Sequence, residues 1–302
     1  MSEVLKMERY KKATVGLLAL FFLFGCESLF FWPTKNLVGS PEHFNFSKQD
    51  VYFTTEDGLK LHGWRLPAGG KSKVGTIFFL HGNAQNLSYH IANSYWLINE
   101  GWEVVIIDYR GYGLSEGEPD ISSIQKDALA GYQSILSERE DNLPIIVWGQ
   151  SLGATVAINM VAELSTTDKP QGLIVDSAFS SHRKIMQETL GKSWITWLFQ
   201  YPLSWFVRTD YSPSLFVGQI EDVPLLIVHS ERDPLINIEH AKEIYELANW
   251  PKELWISEQP GHINIWDDLV WREKLVCQLR DWPDLKPMEN VCEHHNRSDM
   301  SH

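Results

Sequence analysis

Five short runs, at residues 76–80, 104–107, 145–148, 173–175 and 225–228, are apolar, β-branched or aromatic throughout, and each is bounded on at least one side by Gly, Pro, Asp or His. A strand with one wet face alternates apolar with polar side chains. These runs do not alternate, so they read as strands covered on both faces of a parallel sheet. Parallel neighbours need long crossovers, and helical stretches at 88–99, 121–136, 152–164 and 238–247 supply them. In the third, Ala154, Ala157, Ile158 and Val161 share one face that can pack on the sheet. Strand alternating with helix predicts a doubly wound α/β domain, with functional residues along the edge where the strands end. Two alternating segments at 51–54 and 59–66, joined at Asp57-Gly58, add an antiparallel pair at the start of the sheet.

The 302 residues suit one large domain with a small insertion, or at most two compact domains, and 44% hydrophobic residues are enough for a full core. A net charge of −13 with no basic stripe outside the N-terminus argues against nucleic-acid binding, which draws its affinity from clustered Lys and Arg. Residues 180–212 break the strand–helix rhythm and carry Trp194, Trp197, Leu198, Phe199, Tyr201, Trp205 and Phe206, so they read as an inserted helical cap. The three cysteines lack zinc spacing; Cys277 and Cys292 form either a disulfide or two separate thiols. His294 and His295 sit in a polar tail without a carboxylate or thiol placed to complete a metal site, and no metal is expected.

The first residues read as an address. Lys6, Arg9, Lys11 and Lys12 precede an apolar run at 13–24, short for a membrane span but right for a signal peptide. The run ends in Leu23-Phe24-Gly25-Cys26, which resembles a bacterial lipobox. The resemblance implies cleavage before Cys26, lipidation of its thiol, and a protein tethered to a membrane of the bacterial cell envelope. An uncleaved anchor continuing through residues 29–32 is the alternative. The expected divisions are a signal peptide at 1–25, a linker at 26–48, the α/β domain at 49–285 with its cap at 180–212, and a tail at 286–302.

Gly149-Gln150-Ser151-Leu152-Gly153 directly follows one predicted strand and opens a predicted helix. Such a strand-to-helix turn lifts a serine into a strained conformation, and small flanking residues let strand and helix approach. Serine needs a base within hydrogen-bond reach, and His262 lies in a loop after the apolar segment Leu254-Trp255-Ile256. A third group must orient the imidazole. Asp233 follows the run at 225–228 and gives the chain order Ser, Asp, His; Glu231 and Asp176 are the competing carboxylates, with Asp176 read as structural. Two amides should face the developing oxyanion, those of Leu152 and Asn83, with Ala84 as the alternative to Asn83. His81 is expected to shape its loop rather than touch substrate.

Leu80-His81-Gly82-Asn83-Ala84, then Asp108-Tyr109-Arg110-Gly111-Tyr112-Gly113 with Ser115, the turn at Ser151, and Asp233-Pro234 before Gly261-His262 together resemble the α/β hydrolases of the Bem46-like and ABHD13-like branch, close to serine aminopeptidase-like hydrolases. The resemblance runs from about Val51 to Arg280. It implies an α/β-hydrolase fold with an eight-stranded, mostly parallel sheet, helices on both faces, a Ser-Asp-His triad and no cofactor. Members of that branch are commonly membrane-associated and include esterase-like and thioesterase-like enzymes. Hydrolysis of an ester or thioester is therefore the expected activity. A peptidase or amidase, and a non-catalytic binding or scaffold protein on the same fold, are the alternatives.

Overall fold

In the computed structural model the described residues are 31–282, apart from 45, 140 and 141. The signal-like segment with Cys26 and the tail with Cys292, His294 and His295 lie outside them.

The strands are β1 (Trp32–Pro33), β2 (Gln49–Thr54), β3 (Lys60–Leu66), β4 (Gly75–Leu80), β5 (Ala84–Gln85), β6 (Trp102–Ile107), β7 (Ile145–Gln150), β8 (Gly172–Asp176), β9 (Leu225–Ser230) and β10 (Lys252–Ser257). Eight form one sheet in the order β10-β9-β8-β7-β4-β6-β3-β2. β2 pairs antiparallel with β3, and β3 with β6; the other neighbours are parallel. The carboxyl ends of six strands therefore share one edge, as expected for a doubly wound sheet.

The missing alternation in the apolar runs has a direct structural cause. Successive side chains of a strand point to opposite faces. Phe78 and Leu80 of β4 enter one core with Val105, Val147 and Val175, while Ile77 and Phe79 enter a second with Val104, Ile146 and Ile174. Both faces are dry. The helices that cover them are α1 (Leu87–His90), α2 (Ser123–Glu138), α3 (Leu152–Glu163), α4 (His182–Gly191), α5 (Gln200–Ser204), α6 (Ile238–Leu247) and α7 (Leu269–Asp281). In α3 even Thr155 and Asn159 are buried: Thr155 Oγ1 donates to Leu152 O at 2.7 Å, and Asn159 Nδ2 to Tyr211 O at 2.8 Å.

Two segments differ from expectation. The helix predicted over 88–99 is broken into α1 and two 3-10 turns, Ile91–Asn93 and Tyr95–Glu100. Asn93 turns its side chain to Gln150 (Nδ2 to Oε1, 2.8 Å) and accepts the Trp96 indole N–H on its carbonyl at 2.8 Å, so tertiary bonds replace helical ones here. The described part of the expected linker at 26–48 is fastened to the domain. β1 pairs with β5, Asn86 Nδ2 donates to the carbonyls of Thr34 and Asn36, and Phe31 is buried in the core beside β4.

Several histidines are buried without charge. Burial holds His90 and His182 down at about 4, and lowers His229 and His240 in the same direction. The unfolded chain takes up those protons first, at the ordinary value near 6.5. The stability these groups contribute is thus complete above pH 6.5 and is lost as pH falls below it, for His90 and His182 by about 1.4 kcal/mol per pH unit each on the way to pH 4. Urea midpoints measured from pH 7 to pH 4.5 should fall steadily, and a flat profile would contradict this account.

Candidate active site

Ser151 stands between the end of β7 and the start of α3 with φ +53° and ψ −114°, a conformation that costs a non-glycine residue about 1–3 kcal/mol. Packing enforces it. A Cβ on Gly153 would lie 2.0 Å from Leu80 O, and one on Gly149 would lie 2.3 Å from Gly153 O, so helix and strand meet at a distance only glycine permits. The Ser151 amide donates to Asp176 O at 2.8 Å, which ties the turn to the neighbouring strand. Gln150 completes the support, donating from Nε2 to Asp176 Oδ2 at 2.8 Å while its Oε1 accepts from Asn93. As first-turn residues of α3, Leu152 and Gly153 have no intrahelical acceptor for their amides, and the helix dipole adds positive potential beside the serine.

Across from Ser151 lies the turn after β4. A Cβ on Gly82 would sit 3.6 Å from the Ser151 Cβ, which places this turn against the serine. His81 is fully buried beneath it, donates from Nδ1 to Gly82 O at 2.7 Å, and lies 3.2 Å by Nε2 from Asp108 Oδ1. It also stacks on His90 with ring centroids 5.2 Å apart. His81 is thus internal scaffolding, as its loop-shaping reading predicts. Asn83 is held by Tyr112, whose hydroxyl donates to Asn83 O at 2.5 Å and lies 3.0 Å from its Oδ1. Ala84 is taken up by β5: its carbonyl accepts from His90 Nε2 at 2.9 Å and its backbone pairs with Trp32.

The loop after β9 supplies the carboxylate. Asp233 Oδ1 accepts from the amides of Leu235 (2.8 Å) and Ile236 (3.0 Å), and Oδ2 accepts from His262 Nδ1 at 2.7 Å. Burial alone would raise its pKa, but the bonds from His262 and the two amides outweigh it and hold the carboxyl below the ordinary range. The loops are cross-tied, with the Glu231 amide donating to Ser257 O at 2.8 Å and Ser230 Oγ to Gln259 O. Glu231 itself is exposed. Asp176 has its oxygens committed to Gln150, to the Trp266 indole N–H at 2.7 Å and to Ser177 Oγ at 3.0 Å, and burial raises its pKa. It braces the elbow and has no hydrogen bond to His262.

With Nδ1 donating to Asp233, the neutral ring of His262 has Nε2 as its acceptor. The ring is 13% exposed, so its free nitrogen can be reached from the site. Among the described contacts no hydrogen bond joins the Ser151 hydroxyl to this ring; such bonds commonly tighten only when substrate binds. The structure therefore joins Asp233 to His262 directly and brings Ser151, Gly82 and Asn83 to the same edge. Gln150, Asn93, Trp266 and Tyr112 also build the site, and sequence reasoning gave none of them a role in it. Gln150, preceding the serine in its motif, and Tyr112, within the Asp108–Gly113 motif, carried a signal; Asn93 and Trp266 did not.

The family model described as Hydrolase_4, serine aminopeptidase S33, matches residues 71–213. The uncharacterized protein YfhR of Escherichia coli O157:H7 is 28% identical over 259 residues, 82% of this chain and 85% of that one. The lysophosphatidylserine lipase ABHD12 of Danio rerio is 31% identical over 268 residues, 78% of this chain and 68% of that one. Among solved structures, the esterase Pf2001 of Pyrococcus furiosus is similar in fold with a TM-score of 0.67 at 24% identity, covering 83% of this chain and 99% of that one. The sheet order, the strained serine between strand and helix, and these similarities lead to one conclusion: the chain belongs to the α/β-hydrolase superfamily.

Proposed function

We propose that the protein is a serine hydrolase that cleaves a carboxylic ester or thioester through an acyl-enzyme. The observation that carries this reading is the 2.7 Å bond from His262 Nδ1 to buried Asp233, set at the same sheet edge as strained Ser151. In the first step Ser151 Oγ attacks the carbonyl carbon while His262 Nε2 takes the hydroxyl proton. Asp233 stabilises the imidazolium, and the amides of Leu152 and Asn83 hold the oxyanion. The imidazolium then gives its proton to the leaving alcohol or thiol. Water, deprotonated by the same imidazole, releases the acid and restores Ser151. The 31% identical relative is named for cleaving lysophosphatidylserine, which favours an ester over a peptide bond.

Turnover of p-nitrophenyl esters of rising chain length, acyl thioesters and aminoacyl amides tests this reading. Esters or thioesters should be preferred. A preference for aminoacyl amides would make the protein a peptidase, and inertness toward the whole panel would favour a binding protein.

We also propose that Cys26 carries lipid and tethers the protein in the bacterial cell envelope. Cys277 is disulfide-bonded, which favours an oxidising compartment. Cys26→Ser should move the protein from the membrane fraction to the soluble one; retention in the membrane would indicate an uncleaved anchor instead.

A further inference from the structure

The cap between β8 and β9 is the least protein-covered apolar surface of the described residues. Trp194 is 87% exposed and Trp205 71%, and Ile195, Leu198, Tyr201 and Phe206 are exposed with them. Residues 193–207 contain no charged side chain. A monomer in water rarely shows so continuous an apolar patch unless something covers it. Tryptophan and tyrosine are the side chains that favour the boundary between lipid and water, with an apolar body and a hydrogen-bonding tip.

Where the patch lies identifies its cover. The cap leaves the sheet at the carboxyl end of β8, the edge that carries Ser151. Lys192, at the end of α4, donates from Nζ to the carbonyls of Pro234 and Leu235, so the cap is fastened to the loop that holds Asp233. The described chain begins at the same edge. Residues 13–24 and 29–32 are apolar in sequence, and the chain enters the described fold at buried Phe31 and exposed Trp32, paired with Ala84 just beyond the Asn83 turn. Exposed Trp32 and the exposed cap thus both lie toward the carboxyl edge of the sheet that carries Ser151.

We propose that this edge docks on the surface of a lipid bilayer, with cap residues 194–206 seated among the headgroups, so that the acyl substrate enters the site from the membrane and not from bulk water. The proposal rests on the membrane-tether reading above and extends it from an anchor to an orientation. An amphipathic segment of this kind seats its apolar side chains about 5–10 Å into the headgroup–acyl boundary.

The test uses the full chain reconstituted into phosphatidylethanolamine–phosphatidylglycerol vesicles and recovered by flotation. An environment-sensitive fluorophore is attached through Leu198→Cys in the cap, or through Lys71→Cys before β4, at the opposite edge. With brominated acyl chains in the vesicles, emission from position 198 should shift to the blue and be quenched, while emission from position 71 should do neither. Floated protein with unquenched label at 198 overturns the docking and leaves the tether standing. A blue shift without bromine quenching also overturns it, because the cap would then be covered by protein, such as a second copy. Protein that fails to float overturns tether and docking together. Fluorophosphonate labelling of the same samples reports separately on Ser151. As a second readout, Trp194→Ser combined with Trp205→Ser should lose turnover of a bilayer-embedded ester while keeping that of a short soluble one; equal loss on both would overturn the proposal.

Discussion

Ser151→Ala is expected to lower turnover by about a millionfold and to abolish covalent capture by a fluorophosphonate probe. The magnitude follows from what the hydroxyl supplies. In the proposed mechanism it is the atom that forms the acyl bond, and without it His262 would have no proton to take and the oxyanion amides no intermediate to hold. The residual rate should reflect those amides and substrate binding alone. The fold should survive, because alanine keeps the Cβ and the Ser151 amide still reaches Asp176 O at 2.8 Å. Release of the φ +53° strain is limited by the glycine contacts on either side. Thermal unfolding of the variant should therefore match the parent closely. A folded variant that still labelled would move the nucleophile to another residue.

Asp233→Asn is expected to cost about ten thousandfold in turnover with little change in fold. The asparagine oxygen can still accept from the Leu235 and Ile236 amides, so the loop keeps its shape. What changes is the face toward His262. An amide N–H now stands where Oδ2 accepted the Nδ1 proton, and the ring answers by moving its proton to Nε2, the nitrogen that must receive one from Ser151. The companion variant Asp176→Asn separates the two acids. Asp176 accepts from Trp266, Gln150 and Ser177, so its loss should appear as lower stability, with the folded fraction retaining more activity than Asp233→Asn. Comparison of kcat with urea midpoints for both variants checks this, and the reverse pattern would exchange their roles.

The parallel sheet was legible because both of its faces are dry, which removes alternation from runs such as Ile145-Ile146-Val147-Trp148 and leaves a pattern that surface strands do not show. The strained turn at Ser151 was legible for a steric reason: Gly149 and Gly153 sit where backbone meets backbone, and that demand is written into the sequence as glycine. The choice among carboxylates was harder. Asp176 and Asp233 both follow apolar strands, and only the fold shows that one is committed to Trp266 and Gln150 while the other accepts from His262. The break in the helix at Asn93 and the fastening of β1 depend on partners far away in the chain, Gln150 and Ala84, and no local pattern announces them.

The burial of Phe31 sets the length of a leash. Phe31 lies only five residue steps after Cys26, and a fully extended chain of that length reaches about 18 Å. With lipid on Cys26, Phe31 would stand no farther from the anchor than roughly the thickness of half a bilayer's hydrocarbon. Such an enzyme patrols a surface: a folded protein could hardly slip into the gap, whereas a lipid diffusing in the plane of the membrane would meet the site continually.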